Sequence, residues 1–165
     1  MHIGRTVDWE TDVFAAWQRS AAGNGIPNGD VWGTLPPGVC WFNCRVEPED
    51  IEKIYVIGSL DWKDVFGTYR LRGIAAASFD GKDDSFRHKF RIYGIRNAMA
   101  VGRDFEPIIL TAFSGDGPFV IIEGNHRAVA MTQLGILAGH SVFVGFHKQI
   151  GSDFNWFRRA VLDED

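Results

Sequence analysis

Cysteine is scarce in this chain, with Cys40 and Cys44 the only two. They are too few for a secreted disulfide framework, and without further Cys or well-placed His they make no zinc site. No apolar run reaches the roughly 20 residues a membrane helix requires, and Met1-His2-Ile3-Gly4-Arg5 has no apolar signal core. A cytoplasmic protein without membrane attachment is the expectation. Positive charge is not in excess either: 17 Lys and Arg stand against 21 Asp and Glu, a formal net charge of -4. No global field draws such a chain to nucleic acid, although a local basic patch is still allowed. Internal repeats, low-complexity stretches and interdomain linkers are missing as well.

What is present has the balance of a soluble globular protein, 45% hydrophobic and 23% charged. A length of 165 residues suits one domain with a proper core and is too short for two ordinary ones. Six Trp and thirteen Phe imply a core built on large side chains.

In chain order, Asp8 is placed to cap a first helix running to about Ala22, with Glu10 and Asp12 in its first turn and Gly23 as its stop. Its apolar side is Val13, Phe14, Trp17 and Ala21. Gly23 to Gly38, rich in Gly, Pro and Asn, reads as an irregular loop with Trp32 plugged onto the core. Val39 to Val46 alternates as a half-buried strand, with Cys40, Phe42, Cys44 and Val46 on one side and Trp41, Asn43 and Arg45 on the other. Both thiols are therefore expected to be buried. Pro48 opens a short helix through Ile54 with acids in its first turn, and Ser59 is placed to cap another through Asp61, Trp62, Val65 and Phe66. Tyr69 to Phe79 suits a strand or a buried turn equally.

A helix from Asp83, Asp84 or Ser85 to Gly102 carries Phe86, Phe90 and Tyr93 on one stripe, surrounded by Arg87, His88, Lys89, Arg91 and Arg96. Such a basic helix either touches phosphates or is a solvated face balanced by Asp80, Asp83 and Asp84, the commoner use of a charge run. Glu106 to Phe113 then reads as a strand, Ser114 to Gly117 as a tight turn, and Phe119 to Ile122 as the antiparallel partner. A helix from His126 to Leu134, a strand from Ser141 to Phe146 and a last helix capped by Ser152, with Phe154, Phe157 and Val161 at helical spacing, complete an α+β fold.

Glu123-Gly124-Asn125-His126-Arg127-Ala128 stands where the second strand of that unit hands over to the helix. Free backbone N–H groups, Asn125 as the expected N-cap, and His126 and Arg127 in the first turn together form an anion site. Arg127 can pair with two phosphate oxygens or form a salt bridge to Glu123 or Glu106. His126 can donate to a phosphate or protonate a leaving group near neutral pH, or it can serve only nearby backbone. Glu123 can hold Mg²⁺, accept a hydroxyl proton or cap the helix. Gly124 permits a close backbone approach. His140 and His147 flank the final strand at no spacing that makes a catalytic metal site.

Two pieces, Glu106-Pro107-Ile108-Ile109-Leu110 and the Glu123 to Ala128 box, together with the order of elements over Val39 to His147, resemble the ParB/sulfiredoxin superfamily. The resemblance implies a small mixed sheet with flanking helices over 39–147, with 1–38 as an N-terminal helix and loop and 148–165 as a C-terminal helix. It also implies that the box binds nucleotide phosphates through Gly124, Asn125, His126 and Arg127. Sulfiredoxins carry a reactive cysteine where Asn125 stands, and partition proteins have a more arginine-rich box followed by a helix-turn-helix domain. The box is most similar to that of the small-molecule kinase branch, whose acid is Asp where this chain has Glu123. In that branch a base comes from the first strand and helix, which makes Glu47, Glu49, Asp50 and Glu52 the candidates and Glu52 the choice.

The expectation is thus an ATP-dependent phosphotransferase or NTPase acting on a small molecule. ATP or another NTP and Mg²⁺ would be its cofactors, Glu123 would hold the metal, and Glu123, His126 and Glu52 would carry the chemistry. The alternatives are a nuclease-like or DNA-modifying domain contacting nucleic acid through the Arg87 to Arg96 helix, and a non-catalytic interaction module.

Overall fold

Two apolar runs that lack polar alternation lie in the interior of the sheet, since a strand covered on both faces needs none. They are β4 (Ile108–Ala112) and β5 (Phe119–Glu123), buried throughout except at Glu123. In the computed structural model, which describes residues 1–22, 31, 33–77, 86–151 and 154–162, these two pair antiparallel with Leu110 opposite Ile121. The Ser114 to Gly117 turn between them closes through Gly117 N–H donating to Ser114 O at 3.3 Å.

β6 (Ser141–Phe146) runs parallel to β4, with Leu110 opposite Val144. β2 (Cys40–Arg45) pairs antiparallel with β6, and β1 (His2–Thr6) antiparallel with β2. At the other edge β3 (Ile54–Tyr55) lies parallel to β5. The result is one six-stranded mixed sheet of order β1-β2-β6-β4-β5-β3 in a single α+β domain.

Asp8 caps the first helix as expected, its carboxylate accepting from the N–H groups of Glu10 and Thr11 at 2.9 Å each. The helix opens with a wide π-type turn, Trp9–Phe14, and continues as α1 (Ala15–Ala22), burying Val13, Ala16 and Trp17. After a 3-10 turn at Pro48–Lys53 come α2 (Leu60–Phe66), α3 (Leu71–Ala76), α4 (Phe86–Ala100), α5 (Asn125–Gln133), a 3-10 turn at Lys148–Gly151 and α6 (Asn155–Leu162). α5 packs against both α3 and α4. Among the described residues no helix is long and apolar enough to cross a membrane.

Several expectations change. β1 and β3 were not anticipated: every residue of β1 is exposed, so backbone pairing rather than patterned side chains holds that edge, and β3 has only two residues, Ile54 and Tyr55, both buried but too few to show a period. The sheet therefore reaches outside 39–147. The Met1 amino group, 2.5 Å from the buried Asp50 carboxylate, ties the start of β1 to the Pro48–Lys53 turn. Cys40 is exposed and only Cys44 is buried. The Trp41 side of β2, expected to face solvent, is covered because Trp9 stacks on Trp41 at 5.0 Å and Gly145 leaves room for the Trp41 ring.

The ambiguous stretch after Tyr69 forms α3, with Leu71 and Ile74 buried. On α4 the aliphatic side wins: Ile92 is buried and Ile95 and Met99 partly so, while Phe90 and Tyr93 are 64% and 56% exposed. Both stripes have helical spacing, so periodicity alone does not choose between them. The expectations for Gly23, Asn28-Gly29, Trp32, Phe79, Asp80, Asp83 to Ser85 and Ser152, and for the side chains of Ala21 and Phe86, lie outside the described residues.

Candidate functional site

The loop between β3 and α2 and the junction between β5 and α5 meet at one place. Gly58 N–H donates to Trp156 O of α6 at 3.1 Å, and Ile57 N–H donates to Asn125 Oδ1 at 2.9 Å. Asn125 is thus not the N-cap that was expected. Gly124 holds that position with φ +91, and Asn125, the first helical residue, instead fastens α5 to the β3–α2 loop. A Cβ on Gly124 would lie 2.7 Å from Arg127 Nη2, so both the left-handed backbone and the close guanidinium require glycine. The helical ladder begins with Ala128 N–H donating to Gly124 O at 2.9 Å, so the N–H groups of Asn125, His126 and Arg127 precede it.

Arg127 is buried, and its Nη1 donates to Ser20 Oγ at 2.5 Å while Nη2 donates to Pro107 O at 3.2 Å. Ser20 in turn donates to Glu123 Oε1 at 2.8 Å, and the Arg127 guanidinium stands 3.5 Å from the same oxygen. Burial lowers the Arg127 pKa, opposed by the charges of Glu123 and Glu106. The arginine joins α1, the start of β4, the end of β5 and the start of α5, which makes it a brace beneath the first turn of α5. Its Nε is buried without a partner among the described residues.

His126 points into a hydrogen-bonded line that has no local signature in the sequence. His126 Nε2 lies 2.9 Å from His88 Nδ1 on α4, and His88 Nε2 lies 3.1 Å from Asp61 Oδ2 on α2. The other oxygen of Asp61 accepts from Ser59 Oγ. Trp62 packs against both imidazoles, with centroids at 4.4 Å from His88 and 4.9 Å from His126. The hydrogen bond from His88, aided by that from Ser59, holds the Asp61 carboxyl down at about 2. Burial, reinforced by His88 and Arg91, pushes His126 down to about 3, so its imidazole is neutral at physiological pH. In the sequence Asp61 is only a member of the short helix after Ser59, and His88 one of the charges around the α4 stripe. No local spacing could pair residues 38 positions apart.

These groups line a cleft of about 920 Å³, at the upper end of the range for small-molecule sites. Arg91, Arg103 and Arg19 supply positive charge to its walls, with Arg103 over the Phe105 ring at 5.6 Å and Arg19 paired to Glu106 at 2.7 Å. The structure brings Glu123, Gly124, Asn125, His126 and Arg127 together here. It does not bring Glu52, which is exposed and paired with Arg72 outside the cleft. Its side chain reaches from the Pro48–Lys53 turn to Arg72 of α3.

A Mg²⁺ site at Glu123 meets an unfavourable donor set. Oε1 is already used by Ser20 and faces a buried cation, and no three His, Cys, Asp or Glu side chains form a metal-binding group among the described residues. His140, its pKa lowered by burial, is not among the cleft residues, and neither is His147. Comparison with known proteins found no match to a family model, to a curated protein or to a solved structure.

Proposed function

We propose that this chain is a nucleotide-binding protein of ParB/sulfiredoxin type that transfers the terminal phosphate of ATP or another nucleoside triphosphate to a small molecule or to water. One observation carries the reading: the line from Asp61 through His88 to His126 ends in the first turn of α5, inside the cleft. A helix N-terminus offers backbone donors and partial positive charge to an anion, and Arg91 and Arg103 line the same space. A neutral His126 can accept a hydrogen bond from an acceptor hydroxyl and orient it, the proton passing to a phosphate oxygen as the hydroxyl oxygen bonds to the terminal phosphorus. The bond from that phosphorus to the nucleoside diphosphate breaks, and the diphosphate leaves as an anion steadied by the same donors. The resemblance of the Glu123 to Ala128 box to phosphate-binding boxes supports the placement of the phosphates.

Isothermal titration with ATP, CTP and GTP, each with and without Mg²⁺, tests the reading. At least one is expected to bind, and Arg91→Ala, an exposed residue, should weaken it about tenfold. Wild-type protein that binds none of them overturns it.

A second reading, nucleic-acid binding through α4, is favoured by the exposed Phe90 and Tyr93 beside Arg87 and Arg91. Aromatic faces among cations suit single-stranded bases and phosphates. It predicts an affinity for single-stranded oligonucleotides that falls steeply with salt, and no gel shift at low salt would remove it.

A further inference from the structure

We infer that Asp61 and His88 are positioning residues that decide which ring nitrogen of His126 carries the proton. Each contact in the line needs one proton, and a neutral imidazole has one to give. Asp61 is an acceptor when ionised, so the proton in its 3.1 Å contact sits on His88 Nε2. A neutral His88 then offers only a lone pair at Nδ1. The 2.9 Å contact to His126 therefore takes its proton from His126 Nε2, and His126 keeps a lone pair on Nδ1.

Burial, with the positive charges of Arg91 and Arg127 added, disfavours charge on His126, so its imidazole carries a single proton. Trp62, packed against both rings, limits their rotation out of register. His126 thus presents a hydrogen-bond acceptor at Nδ1. The consequence for phosphoryl transfer rests on the function proposed above, whereas the tautomer itself does not.

The test uses the ligand-free full chain labelled with ¹⁵N in its histidine rings. Two-bond ¹H–¹⁵N correlation spectra distinguish the tautomers. At about pH 8 the Nε2–H form of His126 should exceed the Nδ1–H form about tenfold or more. An Nδ1–H form at about pH 8, or an even mixture of the two forms, overturns the inference.

Asp61→Asn alters a side chain 60% exposed, so folding should survive; His88→Phe keeps a ring against Trp62. Each should reduce the preference to within about threefold, and an unchanged preference in both overturns the positioning role. Loss of nucleotide binding with the tautomers as expected would overturn the proposed function alone. Nucleotide binding with His126 in mixed tautomers would overturn this inference alone.

Discussion

Replacing Arg127 with alanine should destabilise the fold by about 3 kcal/mol, independently of any ligand. The side chain is 7% exposed, donates to Ser20 Oγ at 2.5 Å and to Pro107 O at 3.2 Å, and stands 3.5 Å from Glu123. Hydrogen bonds from a charged donor contribute about 1.5–3 kcal/mol each. Stripping one partner from a buried ion pair costs about 3–5 kcal/mol, because the other charge is left alone. Glu123 is 23% exposed, so water relieves part of its unpaired charge and places the total at the lower end. In a domain of this size about 1 kcal/mol moves the melting point by about 2–4 °C, giving a drop of about 6–12 °C.

Urea unfolding should show a lower midpoint at an unchanged slope. Arg127→Lys should recover part of the loss, since an ammonium cannot reproduce the planar fork that serves Ser20 and Pro107 together. The decisive comparison is with nucleotide titration. An alanine variant with the wild-type midpoint that no longer binds nucleotide would show that Arg127 reaches phosphate rather than bracing the turn, and the reasoning from its buried contacts would fail.

Three further outcomes are expected. His126 has its pKa lowered from 6.5 to about 3 on folding, so between these values the unfolded chain binds more protons. Stability fully present above pH 6.5 is therefore lost as the pH falls toward about 3, and urea midpoints in that window should fall more steeply for wild type than for His126→Gln; parallel curves would exclude a buried neutral imidazole. Gly58→Ala should cost about 2 kcal/mol or more in thermal unfolding, because the new methyl would strike the Trp156 carbonyl and sit 2.6 Å from Ala160 N, backbone atoms that cannot swing aside. Glu52→Ala, which removes one exposed ion pair, should change stability by less than about 0.5 kcal/mol and leave nucleotide binding and turnover as they were; a lost turnover would return Glu52 to the chemistry.

The unit of β4, turn, β5 and α5 was legible residue by residue, and so were β6 and the Asp8 cap. Each depends on neighbours a few positions away: period-two or unbroken apolar runs, a Gly-rich turn, a carboxylate beside free N–H groups. The strand edges were not legible, because β1 is held by backbone pairing with its side chains exposed, and β3 is two buried residues, too short to show a period. Nor was the face of α4, where two stripes share one period, or the burial of Trp41, which depends on Trp9 arriving from another element.

The same division runs through the site. Sequence alone determined that an acid, a glycine, a histidine and an arginine would stand at a strand-to-helix junction with free backbone donors, because that junction is a local feature. Only the tertiary structure decided what each does. It turned Arg127 inward to Ser20, 107 positions away, and set Asn125 against Ile57 rather than as a cap. It also joined His126 to His88 and Asp61 and left Glu52 on the surface with Arg72. These are contacts between distant parts of the chain, chosen by which faces pack once the sheet has formed, and no spacing in the sequence records them.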